Sequence, residues 1–367
     1  MAGVLTEYCA EIKKGDKVLL RGNTLAVPLV EAVYKECMIR GAHTEVTLET
    51  DNLQNLFFAH AQDHHLDYTS PFLKYYIENV DAVISLLADY NSKRMSNVPP
   101  KKITRKAQAQ QEINTILMDR SHKGELNWTL TVYPTHALAQ EASMSLLEYQ
   151  EFVYKACFLD TDNPIDQWRN LSEYQQKMVD YLTGKSEIHI TGEDTDITLD
   201  VSGRTWVNSD GHRNFPSGEV FTSPIEDSAE GSIRFTYPGI YMGKEIEDIT
   251  LVFEQGIVVK AHAKKGDDLL QEVLNTDEGA KKLGEIAIGT NYGITQFTKN
   301  ILFDEKIGGT IHAALGRSIP DAGGENMSAI HWDLIKDMHT DSSIYADGEL
   351  FYENGKFVME ESHLGSE

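Results

Sequence analysis

The chain has 367 residues, 41% of them hydrophobic, and carries 33 Lys and Arg against 57 Asp and Glu for a formal net charge of -24. That length and apolar content suffice for two ordinary domains, each with its own core. The acidic balance argues against nonspecific attachment to nucleic acid or to an anionic membrane, which needs a net basic face, and favours metals and free amino termini instead. In chain order, residues 17–21 predict a strand, 26–40 an amphipathic helix stopped by Gly41, 44–48 a strand, 81–87 a buried strand, 103–118 a helix and 126–132 a strand. This alternation predicts a parallel α/β sheet. No Gly-x-Gly-x-x-Gly follows any of these strands, which argues against a dinucleotide site.

A charged, Tyr-rich helical stretch over 163–182 leads into a second half of different texture. Residues 187–190, 196–201, 232–237 and 249–253 alternate as strands, and helices are expected over 267–274 and 278–283. The expected fold is therefore α/β: an N-terminal parallel α/β-sheet domain over 1–185 and a C-terminal strand-rich α+β domain over 186–367. Cys9, Cys37 and Cys157 form no paired motif and read as reduced, buried thiols. With no basic stretch followed by an apolar run near Met1 and no segment long enough to span a membrane, the expected address is the cytoplasm.

The second half also holds the candidate chemistry. His331 and Asp333 are alternate residues, so an extended backbone projects both to one face, where they can grip one ion. Alone, such a pair also reads as a surface hydrogen bond, but Ile330, Trp332 and Leu334 around it predict burial. Glu285 is set into an apolar run, His312 lies between Ile311 and Ala313, and Glu219 follows the turn signal Pro216-Ser217-Gly218. Taken singly, Glu285 reads as readily as a carboxylate paired with a base, His312 more often as a core histidine, and Glu219 as one of the many glutamates of turn surfaces. Five such residues at the edges of apolar segments in one half of the chain point jointly to two divalent metal ions, with zinc, cobalt and manganese all suited to mixed nitrogen and oxygen ligands.

The sequence resembles the aminopeptidase T and aminopeptidase S family of metallo-aminopeptidases. The matching segments are 214–224 (Asn-Phe-Pro-Ser-Gly-Glu-Val-Phe-Thr-Ser-Pro), 283–287 (Leu-Gly-Glu-Ile-Ala), 302–305 (Leu-Phe-Asp-Glu), 312–316 (His-Ala-Ala-Leu-Gly) and 326–335 (Asn-Met-Ser-Ala-Ile-His-Trp-Asp-Leu-Ile). Segments 154–160, 347–351 and 355–357 extend the likeness over most of the chain. The resemblance implies that Glu219 bridges two ions, that Glu285 and His312 complete one site, and that His331 and Asp333 complete the other. It further implies that Glu305 takes the proton of the attacking water, that a homodimer encloses the sites, and that the first domain helps to shape the cavity. Ile319 stands where the family has a tyrosine, and Arg317 or Tyr292 is the candidate substitute.

These features predict a cytosolic metallo-exopeptidase acting on peptides with a free N-terminus. Glu305 or Glu285 would be the proton acceptor, Arg317 an oxyanion contact, and Phe221, Tyr292 and Trp332 an apolar side-chain site. The alternative is a mononuclear iron ring-cleaving dioxygenase of the dihydroxypyridine type on the same fold. A non-catalytic metal-binding protein is a third reading, which the intact ligand set disfavours.

Overall fold

The computed structural model describes residues 1–358, which divide into two compact units: 1–165 with 211–216, and 166–210 with 217–358. In the first unit, strands β1 (Lys17–Asn23), β2 (His43–Glu49), β3 (Ala82–Leu87) and β4 (Asn127–Val132) form a parallel sheet in the order β2-β1-β3-β4. A short fifth strand, Asn214–Phe215, lies beyond β4. Val18, Leu19 and Leu20 are consecutive and all buried, as expected of a strand covered on both faces. The crossover helix Val27–Ile39 begins with a proline in its first turn and buries Leu29, Val30, Val33 and Cys37. Helix Pro100–His122 buries Ile113 in a cluster with Leu19, Ile77, Val80, Val83 and Leu126.

The parallel sheet followed by a strand-rich half is as the sequence predicts, but the boundary is not at 185. Helix Pro164–Leu182 belongs to the second unit because Met178, Val179 and Leu182 pack into that unit's core with Ile188, Ile190 and Leu199. Residues 211–216 return to the first unit to pair with β4. The helix expected over 278–283 is a single 3-10 turn, Glu278–Lys281.

The second unit contains two sheets. A nine-stranded sheet includes Glu187–Gly192, Thr195–Asp200, Glu230–Phe235 and Lys244–Glu254. The other is antiparallel: β5 (Val207–Ser209), β6 (Glu219–Thr222), β7 (Leu283–Gly289), β8 (Thr310–Gly316) and β9 (His331–Asp337), in the order β9-β8-β7-β6-β5. Val220, Ile286, Ile288, Ile311, Ala313, Leu315, Trp332 and Leu334 lie in the shared core with Ile197, Ile233, Phe235, Ile249, Leu251 and Phe253 from the larger sheet. Fully burying a leucine or isoleucine is worth roughly 1.5–3 kcal/mol. This apolar face thus anchors the smaller sheet and leaves its other face for polar residues.

Strand alternation alone would put Leu283 and Glu285 on the same face. The register shows why they are not: Leu283 opposes Leu315, Glu285 opposes Ala314, and Gly284 is the extra residue of a bulge. Leu283 therefore joins the core while Glu285 turns to the opposite face. The bulge requires glycine, since a Cβ at position 284 would run into the carbonyl oxygens of Gly316 and Arg317. We expect Gly284→Ala to cost about 1–3 kcal/mol of stability by overpacking and to lower metal content by displacing Glu285. A thermal melt and elemental analysis check this; an unchanged midpoint with full metal content would remove the bulge from the account.

Candidate metal centre

With the bulge in place, register puts all five expected ligands on one face. Glu285, Ala314 and Asp333 form one row across β7, β8 and β9; His331 pairs with Gly316, and Ala287 with His312. Glu219 opposes Gly289, four residues along β7 from Glu285. The positions between the ligands on this face are Ala287, Gly289, Ala314 and Gly316, so small side chains leave the space above the sheet to the long ones.

The polar atoms converge. His312 Nε2 lies 3.5 Å from Glu285 Oε1 and 3.9 Å from both Glu219 Oε2 and Asp333 Oδ1. His331 Nε2 is 3.3 Å from Glu285 Oε2 and 3.4 Å from Asp333 Oδ1. Each ring is oriented from behind: His312 Nδ1 donates to the carbonyl of Glu305 at 2.9 Å and His331 Nδ1 to that of Arg317 at 2.7 Å. These bonds fix the tautomer that leaves Nε2 free to face a cation. Glu219, Glu285 and His312 are buried, whereas the His331 side chain is 30% exposed and opens the cluster on one side.

Two carboxylate oxygens, Glu219 Oε2 and Asp333 Oδ1, are buried without a hydrogen-bond partner among the described residues. Leaving such an atom desolvated and unmatched is costly, and a bound cation is the partner that carboxylates and imidazole Nε2 share. Glu285, His312 and Asp333 each offer one ligand atom within 4.8 Å of the others. The donor set therefore fits a divalent metal.

Burial works against charge on both imidazoles, yet neighbouring carboxylates win. Hydrogen bonding and attraction to Glu285, with Glu219 and Asp333 nearby, push His312 up to about 10. Asp333 and Glu285 do the same for His331, up to about 11. Burial opposes ionisation of Glu285 and Asp333 as well, but the paired imidazoles hold both below the usual carboxylate range. Glu305 differs: burial, reinforced by Glu219 and Asp333 and opposed by Lys306, pushes it up to about 8.

Not every sequence expectation meets at this face. Arg317 contributes its carbonyl to His331, while its guanidinium Nε donates to Ser328 O at 3.1 Å. Tyr292 donates its hydroxyl to Gly355 O at 2.6 Å. Ile319 is held through its backbone, its N–H donating to Ser223 Oγ at 3.0 Å. Trp332 does not line the site; it alternates with His331 and Asp333 and so points into the core, where its indole donates to Ile240 O at 3.0 Å. Phe221 opposes Ala287 and stays on the ligand face, half-buried.

Two residues are added by the structure. Lys306 is fully buried, ion-paired with Glu305 and 3.6 Å from Glu219 Oε1. Its signal was a lysine directly after Glu305 and before Ile307, in an otherwise apolar stretch. Gln175, on helix Pro164–Leu182, donates to the Glu219 carbonyl at 2.7 Å, and nothing local in the sequence marks it.

Residues 1–357 match the thermophilic metalloprotease (M29) family. The chain belongs to that family. It is similar to aminopeptidase AmpS of Bacillus subtilis (strain 168), at 27% identity over 98% of this chain and 97% of that protein. The structure of wild-type AmpT from Thermus thermophilus shares the fold at a TM-score of 0.83 and 23% identity, covering 97% of this chain and 98% of that one. The 2,5-dihydroxypyridine dioxygenase of Pseudomonas putida KT2440 shares it more distantly, at a TM-score of 0.59 and 15% identity over 97% and 95% of the two chains. That likeness concerns fold alone, and the family match does not favour the oxygenase alternative.

Because the neighbouring carboxylates raise the affinity of both imidazoles for protons, we expect metal binding to displace about two protons per chain and to tighten as pH rises. The pairs stabilise the metal-free fold fully below the ordinary imidazole value and lose that contribution as pH climbs through about 10 and 11. Calorimetric titration with manganese in buffers of different ionisation enthalpy measures the release. A heat independent of buffer would show that the rings are neutral before metal arrives.

Proposed function

We propose that this metallo-aminopeptidase removes N-terminal residues from peptides using two divalent cations held by Glu219, Glu285, His312, His331 and Asp333. The observation carrying this reading is the pair of imidazoles, each pinned at Nδ1 and each turning Nε2 toward carboxylates on the same face. Glu285 reaches both rings through separate oxygens, and Asp333 Oδ1 lies 3.4 Å from His331 Nε2 and 3.9 Å from His312 Nε2. When bound, two such ions lower the pKa of a water and polarise the scissile carbonyl; zinc, cobalt and manganese all accept this donor set.

The chain's own groups supply the rest. Glu305, buried beside the cluster and held as a carboxylate by the adjacent Lys306 ammonium, would accept the proton of the attacking water and return it to the leaving amine. Glu285 is less suited to that task, since both its oxygens face imidazoles. Arg317 acts through its carbonyl by orienting His331. The acidic face suits a free α-amine, and Phe221 offers apolar surface to the first side chain. Ile319, lacking a donor, leaves one oxyanion contact unmade.

A cytoplasmic homodimer completes the reading, supported by the family resemblance. Among the described residues no helix is long and apolar enough to cross a membrane.

We expect elemental analysis to give about two divalent ions per chain, and leucyl-p-nitroanilide to release nitroaniline. Glu219→Ala and His331→Ala should fold normally by circular dichroism and reduce kcat to background; near-normal metal-dependent turnover in either would remove that residue from the site. One iron per chain with no peptidase activity would favour the oxygenase. Ile319→Tyr should raise kcat, since one oxyanion donor is worth roughly 100-fold; no gain would mean that another group already makes the contact.

A further inference from the structure

The Lys306 side chain is fully buried against the metal-binding face, yet its chemistry is not that of a ligand. Its ammonium forms an ion pair with Glu305 Oε1 and lies 3.6 Å from Glu219 Oε1, and Glu305 is its hydrogen-bond acceptor. A buried ammonium is costly unless paired, and here its partners are the carboxylates of the metal-binding face. The backbone fixes it there: Lys306 N donates to Phe303 O at the end of helix Ile301–Asp304, and Asn291 N donates to Lys306 O at 3.1 Å.

The consequence lies in which oxygens remain. On Glu219, Oε1 faces Lys306, while Oε2 lies toward His312 and has no hydrogen-bond partner among the described residues. On Glu305, Oε1 is held by Lys306, although the residue's own carbonyl already anchors the His312 ring. We propose that Lys306 is a positioning residue that separates two roles among adjacent carboxylates: it presents Glu219 Oε2 to the metal, and it retains Glu305 as a proton acceptor by holding it away from the cations. Without that ammonium, Glu305 is a fourth buried carboxylate beside Glu219, Glu285 and Asp333, free to become another ligand. The inference rests on the proposed role of Glu305.

The test uses the protein, stripped of metal for the affinity measurement and loaded with manganese for the kinetics, together with the variants Lys306→Met, Lys306→Gln, Lys306→Arg, Glu305→Gln and the double variant Lys306→Met/Glu305→Gln. For each, manganese affinity is measured by calorimetry and kcat and KM with leucyl-p-nitroanilide. We expect Lys306→Met to bind manganese as tightly as the parent or more tightly while kcat falls on the order of 10–100-fold with KM little changed, because proton transfer by a placed base is worth about that much or more. Lys306→Arg should recover part of the loss, and Lys306→Met should add little in the Glu305→Gln background.

Unchanged kcat in Lys306→Met would overturn the proposal. So would a fall in kcat matched by loss of manganese affinity in both Lys306→Met and Lys306→Gln, since that pattern marks a structural role. Full additivity of Lys306→Met with Glu305→Gln would show that the lysine does not act through Glu305. If Glu305→Gln alone keeps full kcat, the reading of Glu305 as proton acceptor fails first, and the inference falls with it for a distinguishable reason.

Discussion

A one-residue bulge at Gly284 decides which way the polar centre of this protein faces. On a regular β7, Glu285 would follow Leu283 into the core between the two sheets, where a carboxylate among Ile197, Phe235 and Leu251 would cost far more than any partner there could return. The bulge turns it to the face that carries His312, His331 and Asp333. Ser223 then ties the bulge to the following loop, its hydroxyl donating to Gly284 O at 2.6 Å while accepting from Ile319 N–H. The local backbone choice, the register of three strands and the placement of Ile319 are thus one mechanical unit.

The two faces of the smaller sheet do opposite work. One is apolar and continuous with the larger sheet's core, and its burial supplies the free energy that lets the other hold desolvated carboxylates. That second face is not self-sufficient. Its charge is balanced by two imidazoles whose affinity for protons the carboxylates raise, by the ammonium of Lys306 and by carbonyls that hold the rings still, and two carboxylate oxygens still lack a hydrogen-bond partner among the described residues. Such a face is organised for a cation before one binds, which reduces the reordering that binding would otherwise cost.

Much of this was legible in the sequence, for identifiable reasons. The His-x-Asp spacing needs only an extended backbone to aim both side chains one way, and its apolar flanks announced the strand. The same alternation should have excluded Trp332 from the site, since a residue between two ligands on a strand points away from them. Glu219 and Glu285 could be nominated from context, but their convergence depends on register and on a bulge that no local period encodes. Helix Pro164–Leu182 shows the complementary difficulty: its periodicity revealed a helix, while the partner for Met178, Val179 and Leu182 is a sheet formed later in the chain. Lys306 escaped because ammonium groups are not metal ligands, and a search by ligand type passes over the groups that manage a site's charge.

The comparison with the dioxygenase fold shows where function resides. A TM-score of 0.59 over nearly the whole chain means that the backbone framework admits more than one chemistry, so the framework itself selects neither. Selection comes from what this chain adds to a two-imidazole face. A mononuclear face needs one carboxylate beside its histidines. Here Glu219, Glu285 and Asp333 all lie within 4 Å of an imidazole nitrogen, and the Glu305–Lys306 pair is packed against them. Surplus carboxylates in a desolvated space are a liability unless positive charge and proton transfer give them work, and hydrolysis at a metal centre uses both. The side chains on the framework therefore agree with the metalloprotease family.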